Sequence, residues 1–511
     1  MSVSPRRFFT VYHRDLGFQV RRSSFWVWAI LLIFLAWGLS TGKARIQSGD
    51  SAVGGTKAFI TSEFAATQQF VILTPLIYGL FVAVASGMSV IQDEEYRVGA
   101  VLHATPLRPG EYVWGKFLAV FSASALILAM HVGAMILFNH GTPAGEAKEF
   151  RGALDVWNYL RPALIFSLPT TVFFAGITFY AGERTRKPIL VFMLPLMVLL
   201  ACLFALWDWA PSWLDPRIDR LMMLIDPAGF RWLDQTHLKV DRGVAYYNTA
   251  WVPLDGLIVA NRLIVLGMGL GAVVLSRRHL AASLRGAAWR AERRWRATSG
   301  LEAPAEVESE RVPPALVPLG ELGMNSRRPG LIAGAWTVLK AELVELRSSP
   351  GLYLFVPILV LESLGPNIIA VGAFDTPLLT TPGTFAVRAF NPLTTMLCML
   401  LLFYTVESLW RERHTRVAAI SLATPIRTGS ILLGKALANS VVGLVVLGFQ
   451  LLAGAAWIAY QGKVPFSFRP FALVWGLALV PTLFLWTAFV MATLSVTRSR
   501  YGTYAVALGV L

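Results

Sequence analysis

The sequence predicts an all-α polytopic membrane protein built from two parallel repeats of transmembrane helices. Of its 511 residues, 55% are hydrophobic and only 15% are charged, and the mean hydropathy is +0.58. A soluble globular chain has roughly a quarter of its residues charged, so this chain lacks the polar surface of one. Long apolar runs recur along the chain, and several sequence blocks occur twice in the same order.

The apolar runs are candidate spans, because a helix of about 20 residues crosses the hydrocarbon core of a membrane. The predicted spans are 25–40, 69–91, 117–138, 163–181, 188–209, 256–276, 351–371, 390–409, 436–459, 472–494 and a run from Tyr501 to Leu511. The first half therefore has six spans and the second half at least five. We expect the second repeat to be truncated within the helix that matches 188–209.

The chain is expected to divide into a first repeat (1–276), a linker (277–335) and a second repeat (336–511). The linker begins with arginines and then becomes acidic and proline-containing, a composition that buries too little apolar surface to order itself. Lysine and arginine are more frequent in the segments that a cytoplasmic N-terminus would place inside the cell. This bias predicts a multi-pass protein of the cell membrane with its N-terminus in the cytoplasm.

The segment before the first span is amphipathic. Phe8, Tyr12 and Leu16 recur every four residues, and Arg14 lies on the opposite side of a helix drawn through them. This pattern predicts an interfacial helix at about 6–22 that lies along the lipid bilayer, its apolar face in lipid and its arginines toward phosphates. The alternative is a plain cytoplasmic extension of the first span.

The blocks that occur twice lie at membrane edges. Residues 104–110 read Ala-Thr-Pro-Leu-Arg-Pro-Gly and residues 423–429 read Ala-Thr-Pro-Ile-Arg-Thr-Gly, an offset of 319 that also relates the Gly-Lys pairs at 115–116 and 434–435. A second block, which includes Pro-Thr at 169–170 and at 481–482, matches at an offset of 312. The copies run in the same direction, so the halves are expected to be parallel repeats.

Both copies of the first duplicated block contain Gly-x(4)-Gly-Lys, which resembles a phosphate-binding loop. The following residue is Phe117 or Ala436, where magnesium binding requires a hydroxyl, and no buried strand precedes the loop. We therefore expect the glycines to permit a tight turn and close helix approach, with no cofactor bound by this chain and no enzymatic site. The net charge of +15 does not indicate nucleic-acid binding, because the basic residues flank apolar runs.

Glu362 lies within the seventh predicted span. A charged side chain at mid-membrane costs roughly 2.5–3.5 kcal/mol or more, so such residues usually face the protein interior or water. Glu362 is therefore a candidate for the transport path, and the alternatives are a bond within the bundle or a place near the exterior surface.

The duplicated turns, together with the segment Glu407-Ser408-Leu409-Trp410-Arg411-Glu412-Arg413, resemble ABC-2 type transporter permeases. More narrowly, the chain is similar to bacterial permeases with two permease halves in one chain, some of which continue into an M1 family aminopeptidase domain. The peptidase portion lies outside these 511 residues, so the resemblance implies no protease activity here.

The resemblance implies a pair of separate ABC ATPase subunits that use ATP and magnesium and dock on the cytoplasmic face. It maps the family's coupling elements onto about 93–116 and 410–435. The residues that it assigns to ATPase coupling are Arg97, Thr105, Pro106, Arg108, Gly110, Gly115, Lys116, Glu407, Arg411, Arg416, Thr424, Pro425, Arg427, Gly429, Gly434 and Lys435. The alternatives are a secondary transporter driven by an ion gradient and a membrane anchor for an exported enzyme.

Overall fold

The computed structural model describes the chain in segments. The described residues are 4–41, 59–95, 106–141, 150–186, 188–207, 214–240, 242–284, 329–347, 356–357, 359–360, 363–364, 379–414 and 424–510. All regular elements in these segments are helices. The chain divides into two compact units, Met1–Glu292 and Arg293–Leu511.

The first unit contains twelve described helices. They are α1 (Pro5–Arg21), α2 (Ser23–Ser40), α3 (Glu63–Leu73), α4 (Gly79–Glu95), α5 (Pro109–Ile136), α6 (Trp157–Pro162), α7 (Leu168–Thr185), α8 (Pro188–Ala201), α9 (Pro216–Ile225), α10 (Phe230–Leu233), α11 (Val244–Thr249) and α12 (Gly256–Leu284). Wider π-helical turns occupy Thr74–Tyr78, Leu137–Gly141, Ala163–Ser167, Cys202–Trp207 and Asp234–Leu238.

The second unit is also built from helices in its described residues. Its helices are α13 (Leu331–Arg347), α14 (Pro382–Arg388), α15 (Phe390–His414), α16 (Thr428–Gln461), α17 (Arg469–Phe471), α18 (Val480–Thr497) and α19 (Arg500–Val510), with a π-helical segment at Ala472–Leu479. The predicted seventh span and the middle of the predicted linker (285–328) lie mainly outside the described residues.

Eight helical stretches in the described residues are long and apolar enough to cross a membrane. They are Ser23–Ser40, Glu63–Asp93, Pro109–Gly141, Trp157–Thr185, Gly256–Ser283, Phe390–Glu412, Thr428–Gln461 and Arg469–Thr497. Each contains one of the predicted spans, and the prediction of an all-α polytopic membrane protein is confirmed. The predicted span 188–209 corresponds to a shorter apolar helix, Leu190–Ala201, that continues into a π-helical turn.

Backbone contacts through glycine bring α7 against its two neighbours. A Cβ atom at Gly176 of α7 would lie 2.1 Å from the carbonyl oxygen of Gly269 in α12. On the other side, a Cβ at Gly182 would lie 2.6 Å from the carbonyl oxygen of Gly87 in α4. Small residues let membrane helices approach this closely, and van der Waals contact then holds them together without a hydrophobic driving force.

The helices α7 and α18 have the same local structure, which gives a physical reason for the second duplicated block. Each begins after a π-helical turn with a proline as its second residue, Pro169 or Pro481. Each ends at an arginine in the left-handed conformation, with φ of 54° at Arg186 and 49° at Arg498. Only glycine visits this region without cost, so a matched pair of left-handed arginines is an uncommon feature for two helices to share by chance.

One end of the first unit contains Lys116 and is called the lysine end; the other is called the distal end. The distal end carries the described residues of 214–255, named the distal module, which includes α9, α10 and α11. The module packs its Phe230 and Trp232 with Phe64 of α3 and Phe166 in a cluster of buried apolar side chains. This cluster is separate from the main core that α4, α5 and α7 share.

His237 of the distal module is expected to make the module's stability depend on pH. Burial lowers the pKa of His237 from 6.5 to about 4. The unfolded chain therefore binds the proton first, and the stabilisation is complete above pH 6.5 and lost as the pH falls toward 4. At pH 5 the expected loss is about 2 kcal/mol. Melting temperatures at pH 7.5 and 5.0 should differ less for His237→Gln than for the wild type or for a control, His13→Gln.

Candidate functional site

At the lysine end, α1 lies directly against the first turns of α5. The approach is close because of Gly115, where a Cβ atom would lie 2.9 Å from the Val11 side chain and 3.4 Å from the Phe8 carbonyl oxygen. The second unit repeats this contact between α13 and α16. A Cβ at Gly434 would lie 2.6 Å from the carbonyl oxygen of Ala335. The second glycine of each Gly-x(4)-Gly-Lys block thus permits close helix approach.

Lys116 joins three helices in the first unit. Its ammonium lies 3.1 Å from the Asp15 carboxylate of α1 and 3.0 Å from the Asp93 carboxylate of α4. It also donates a hydrogen bond of 3.0 Å to the Ser89 carbonyl oxygen, and the Tyr112 hydroxyl donates to Asp93 at 2.6 Å. Lys116 is only 5% exposed, so these partners replace water around its charge.

Lys435 occupies the corresponding place in the second unit. Its ammonium lies 3.3 Å from the Glu342 carboxylate of α13 and 3.0 Å from the Glu412 carboxylate of α15. It donates a hydrogen bond of 2.9 Å to the Ser408 carbonyl oxygen. Lys435 is 1% exposed. We call the sets around Lys116 and Lys435 the first and second lysine clusters.

The two clusters correspond residue by residue. Lys116 and Lys435 are 319 residues apart, and the same offset separates Ser89 from Ser408 and Asp93 from Glu412. The helices α1 and α13 follow their own offset of 327, which relates Asp15 to Glu342 and Val11 to Val338. A lysine, its carbonyl acceptor and both of its acids therefore recur together, which chance side-chain burial does not explain.

A second hydrogen bond joins the same two helices at the edge of each cluster, but the donor and the acceptor exchange helices between the units. In the first unit the Ser4 backbone N–H donates to the Glu111 carboxylate at 2.7 Å. In the second, the Ser430 hydroxyl donates to the Leu331 carbonyl oxygen at 3.0 Å. The same offsets of 319 and 327 relate these residues. The start of α1 is thus fastened to the start of α5, and the start of α13 to the start of α16.

The clusters differ in their charge. The second has an additional cation, Arg411, at 3.0 Å from Glu342 and 3.6 Å from Glu345. The residue at the matching place in the first unit is the neutral Gln92. The first cluster therefore holds two carboxylates for one lysine. Burial raises the pKa of Asp15 although Lys116 opposes the change.

The turns that precede α5 and α16 are exposed. Arg108 and Arg427 are the residues that precede the first helical turn, and both are exposed. Pro106, Thr424, Pro425 and Gly429 are exposed as well. Arg7 of α1 donates a hydrogen bond to the Pro106 carbonyl oxygen. Each turn thus presents an arginine to solvent while the lysine after it is buried.

The remaining predicted coupling residues fall in different places. Arg411 belongs to the second cluster, and Glu407 is half-buried on the same helix, α15. Gly110 is half-buried beside the Arg277 side chain. The residues Arg97, Thr105, Arg416 and Glu362 lie outside the described residues.

The structure differs from expectation on α1. Its face with Phe8, Tyr12 and Leu16 turns toward the protein, where the Tyr12 hydroxyl donates to Ser122 at 3.1 Å and Leu16 packs on the main core. Phe9 and Phe18 are the large apolar side chains of α1 that stay exposed, and Arg14 is exposed with them. The surface of a transmembrane helix is as apolar as lipid. An amphipathic pattern alone therefore does not show whether the apolar face of a helix packs on lipid or on another helix.

The sequence patterns do not predict that the acids of both clusters pair with the lysines. The signal that could have found two of them is the offset of 319, which extends upstream of the duplicated turn to Asp93 and Glu412. Asp15 and Glu342 follow a different offset and become visible only through their contacts with the lysines. In the part of the chain that the structure describes, no group of three or more His, Cys, Asp or Glu side chains is placed to hold a metal ion.

Comparison with known protein families gives a match to the second unit. Residues 291–511 match the family model described as ABC-2 family transporter protein. No curated protein and no solved structure matches the chain. The matched segment contains the second lysine cluster, and the first cluster repeats its residues outside the match. The predicted resemblance to ABC-2 type permeases is thus confirmed over this segment: residues 291–511 are similar to ABC-2 family transporter proteins.

Proposed function

We propose that the whole chain is the permease of an ATP-driven transporter in the cell membrane, with its N-terminus in the cytoplasm. The first unit acts as a second permease half, because it repeats the lysine cluster of the family-matched unit residue by residue. Separate ABC ATPase subunits supply ATP hydrolysis with magnesium, and the chain itself binds neither. The observation that carries this proposal is the recurrence of a buried lysine that fastens an interfacial helix to an exposed turn.

The clusters suit a device that passes force from a soluble partner into the membrane. A push on the turn at Arg108 reaches α5 directly, since Arg108 immediately precedes it. Lys116 holds α1 and the end of α4 to the same point. The turn, the interfacial helix and two spans then move together, so a small displacement of the turn tilts the whole lysine end. Arg427 and Lys435 give the second unit the same connection.

A secondary transporter would use these groups differently. It requires titratable or ion-binding side chains that become accessible in turn from each side of the membrane. The cluster lysines are instead buried against fixed acids at the start of a span, where they join helices. Transport that requires ATP and stops when the ATPase is inactivated supports the ABC permease, whereas transport that persists on an ion gradient alone supports the secondary transporter.

Charge reversal in the exposed turns is expected to release the ATPase. In a pull-down with a candidate ABC ATPase subunit that binds the wild-type chain, Arg108→Glu and Arg427→Glu should each reduce recovery about tenfold, which corresponds to about 1.4 kcal/mol. The matched control is Arg217→Glu, an equally exposed arginine on α9 of the distal module. If ATPase recovery and ATP-dependent transport were both unchanged in the double variant, the turns would not be the docking site.

A further inference from the structure

Two proline-associated π-helical turns meet inside the first unit. One (Thr74–Tyr78) joins α3 to α4 and contains Pro75, and the other (Ala163–Ser167) joins α6 to α7 just before Pro169. Proline lacks the N–H that would bond to the carbonyl four residues earlier, so the helix widens or bends around it. The Thr74 and Ser167 hydroxyls are 2.8 Å apart. The weakened turns of both spans therefore touch.

Arg262 of α12 reaches one of these turns. It is 7% exposed, and its guanidinium donates to the Thr170 hydroxyl at 3.3 Å and the Phe166 carbonyl oxygen at 3.5 Å. The Thr170 hydroxyl itself donates to Phe166 at 2.8 Å. Phe166 lies in the π-helical turn itself. A buried charge inside a span is costly, and residues of this kind are commonly functional.

The same guanidinium holds a tight turn of the distal module. It donates to the Asp226 carbonyl oxygen at 3.2 Å, and the Thr170 hydroxyl also contacts the Pro227 carbonyl oxygen at 2.7 Å. Gly229 permits this approach, because it has a φ of +80° and a Cβ there would lie 2.8 Å from the guanidinium. Asn261 adds hydrogen bonds of 2.9 Å from its side chain to three carbonyls of residues 223, 224 and 226.

The distal parts of the second and fourth spans are tied to the same module. Arg161 of α6 lies 3.0 Å from the Glu63 carboxylate of α3 and donates to the Val252 carbonyl oxygen at 3.1 Å. The Val252 N–H returns a hydrogen bond of 3.1 Å to Glu63. These links join α3, α6 and the module on the distal side of both π-helical turns. The paired turns connect this group to α4 and α7 along the chain. Within the described residues, side-chain contacts also run from the module to Arg262 of α12, to Thr170 of α7 and to Trp207 after α8.

We infer that α3, α6 and the distal module move as one body about the paired π-helical turns, and that Arg262 is the positioning residue that fixes this body to α12. Bending at the turns then opens or closes the distal end of the first unit, while the lysine end keeps its own packing. The inference concerns one unit and its internal contacts, so it stands or falls without the ATPase partner.

Pairs of spin labels test the movement in the purified full chain reconstituted in nanodiscs. Cysteines replace exposed residues in a background with Cys202→Ala and Cys398→Ala. The pair Trp157–Ile218 lies within the proposed body, and the pair Leu126–Ile218 crosses the turns. We expect Arg262→Met to widen the distance distribution of the crossing pair at least twofold and to leave the internal pair unchanged.

Proline variants provide the second arm and the control. Pro169→Ala restores a backbone donor beside the turn and is expected to narrow the distance distribution of the crossing pair. The matched Pro481→Ala in the second unit should leave that distribution unchanged. If Arg262→Met does not fold, Thr170→Val removes two of the links and should give the same change to a smaller extent. The inference is overturned if the distance distribution of the internal pair widens as much as that of the crossing pair. It is also overturned if neither Arg262→Met nor Pro169→Ala alters the distance distribution of the crossing pair.

Discussion

Replacing Lys116 with methionine is expected to release α1 from α5 and to uncouple ATP hydrolysis from transport. The substitution leaves the half-buried Asp15 and Asp93 carboxylates without their cation. Breaking a fully buried ion pair costs about 3–5 kcal/mol, which is the upper bound for these partly exposed acids. Undocking of α1 relieves that cost by returning Asp15 to water. Hydrogen exchange should therefore rise along α1 and the first turns of α5, and transport should fall far more than ATPase recovery.

The chain offers matched controls for the expected effect of Lys116→Met. Lys435→Met should produce the corresponding release of α13, while Lys340→Met, at an exposed lysine of α13, should have little effect. Adding Asp15→Asn and Asp93→Asn to Lys116→Met removes the stranded charges and should restore most of the docking. Full docking of α1 in Lys116→Met alone would mean that the cluster contributes nothing to this contact.

Substituting Gly269 with alanine should separate α12 from α7 and destabilise the first unit by about 1–3 kcal/mol or more. A Cβ at this position would lie 2.6 Å from the Val172 carbonyl oxygen and 2.8 Å from the Phe173 Cα. Both are backbone atoms, so no side chain can rotate away, and the two helices must move apart along their length. The melting temperature should drop and the yield of folded protein should fall with it.

Two neighbouring glycines of the same helix are the controls. Gly267 and Gly271 have open space where a Cβ would be placed. Alanine at either position is expected to be neutral or to stabilise by up to about 1 kcal/mol through its higher helix propensity. Equal melting temperatures for all three alanine variants would contradict the close backbone contact between α7 and α12.

The sequence was sufficient for the eight spans that the described residues contain and for the repeated turns, because hydrophobic length and duplication are local patterns. It was not sufficient for what the lysines do. A lysine at the start of a span is indistinguishable from one that reaches the headgroup layer, until Asp15 is seen beside Lys116. Similarly, the pattern of Phe8, Tyr12 and Leu16 predicts an apolar helix face but does not say whether lipid or α5 covers it.

The π-helical turns illustrate the same limit. Pro169 marks an irregularity in the fourth span, but the residue that reaches it, Arg262, is almost a hundred residues away in the sequence. A single arginine in an apolar run predicts only that the charge must find oxygen atoms or an interface. Its contacts with Phe166 and Asp226 come from the packing of α12 on α7 and on the distal module.

The lysine clusters also constrain the order in which the protein is made. Asp15 emerges from the ribosome roughly 100 residues before Lys116, with two spans between them. Asp15 therefore has no lysine partner until the third predicted span has been synthesised. Lys116 in turn depends on α1 for one of its two carboxylate partners. Deletion of the first 22 residues is accordingly expected to leave the nascent third span seated too shallowly in the membrane.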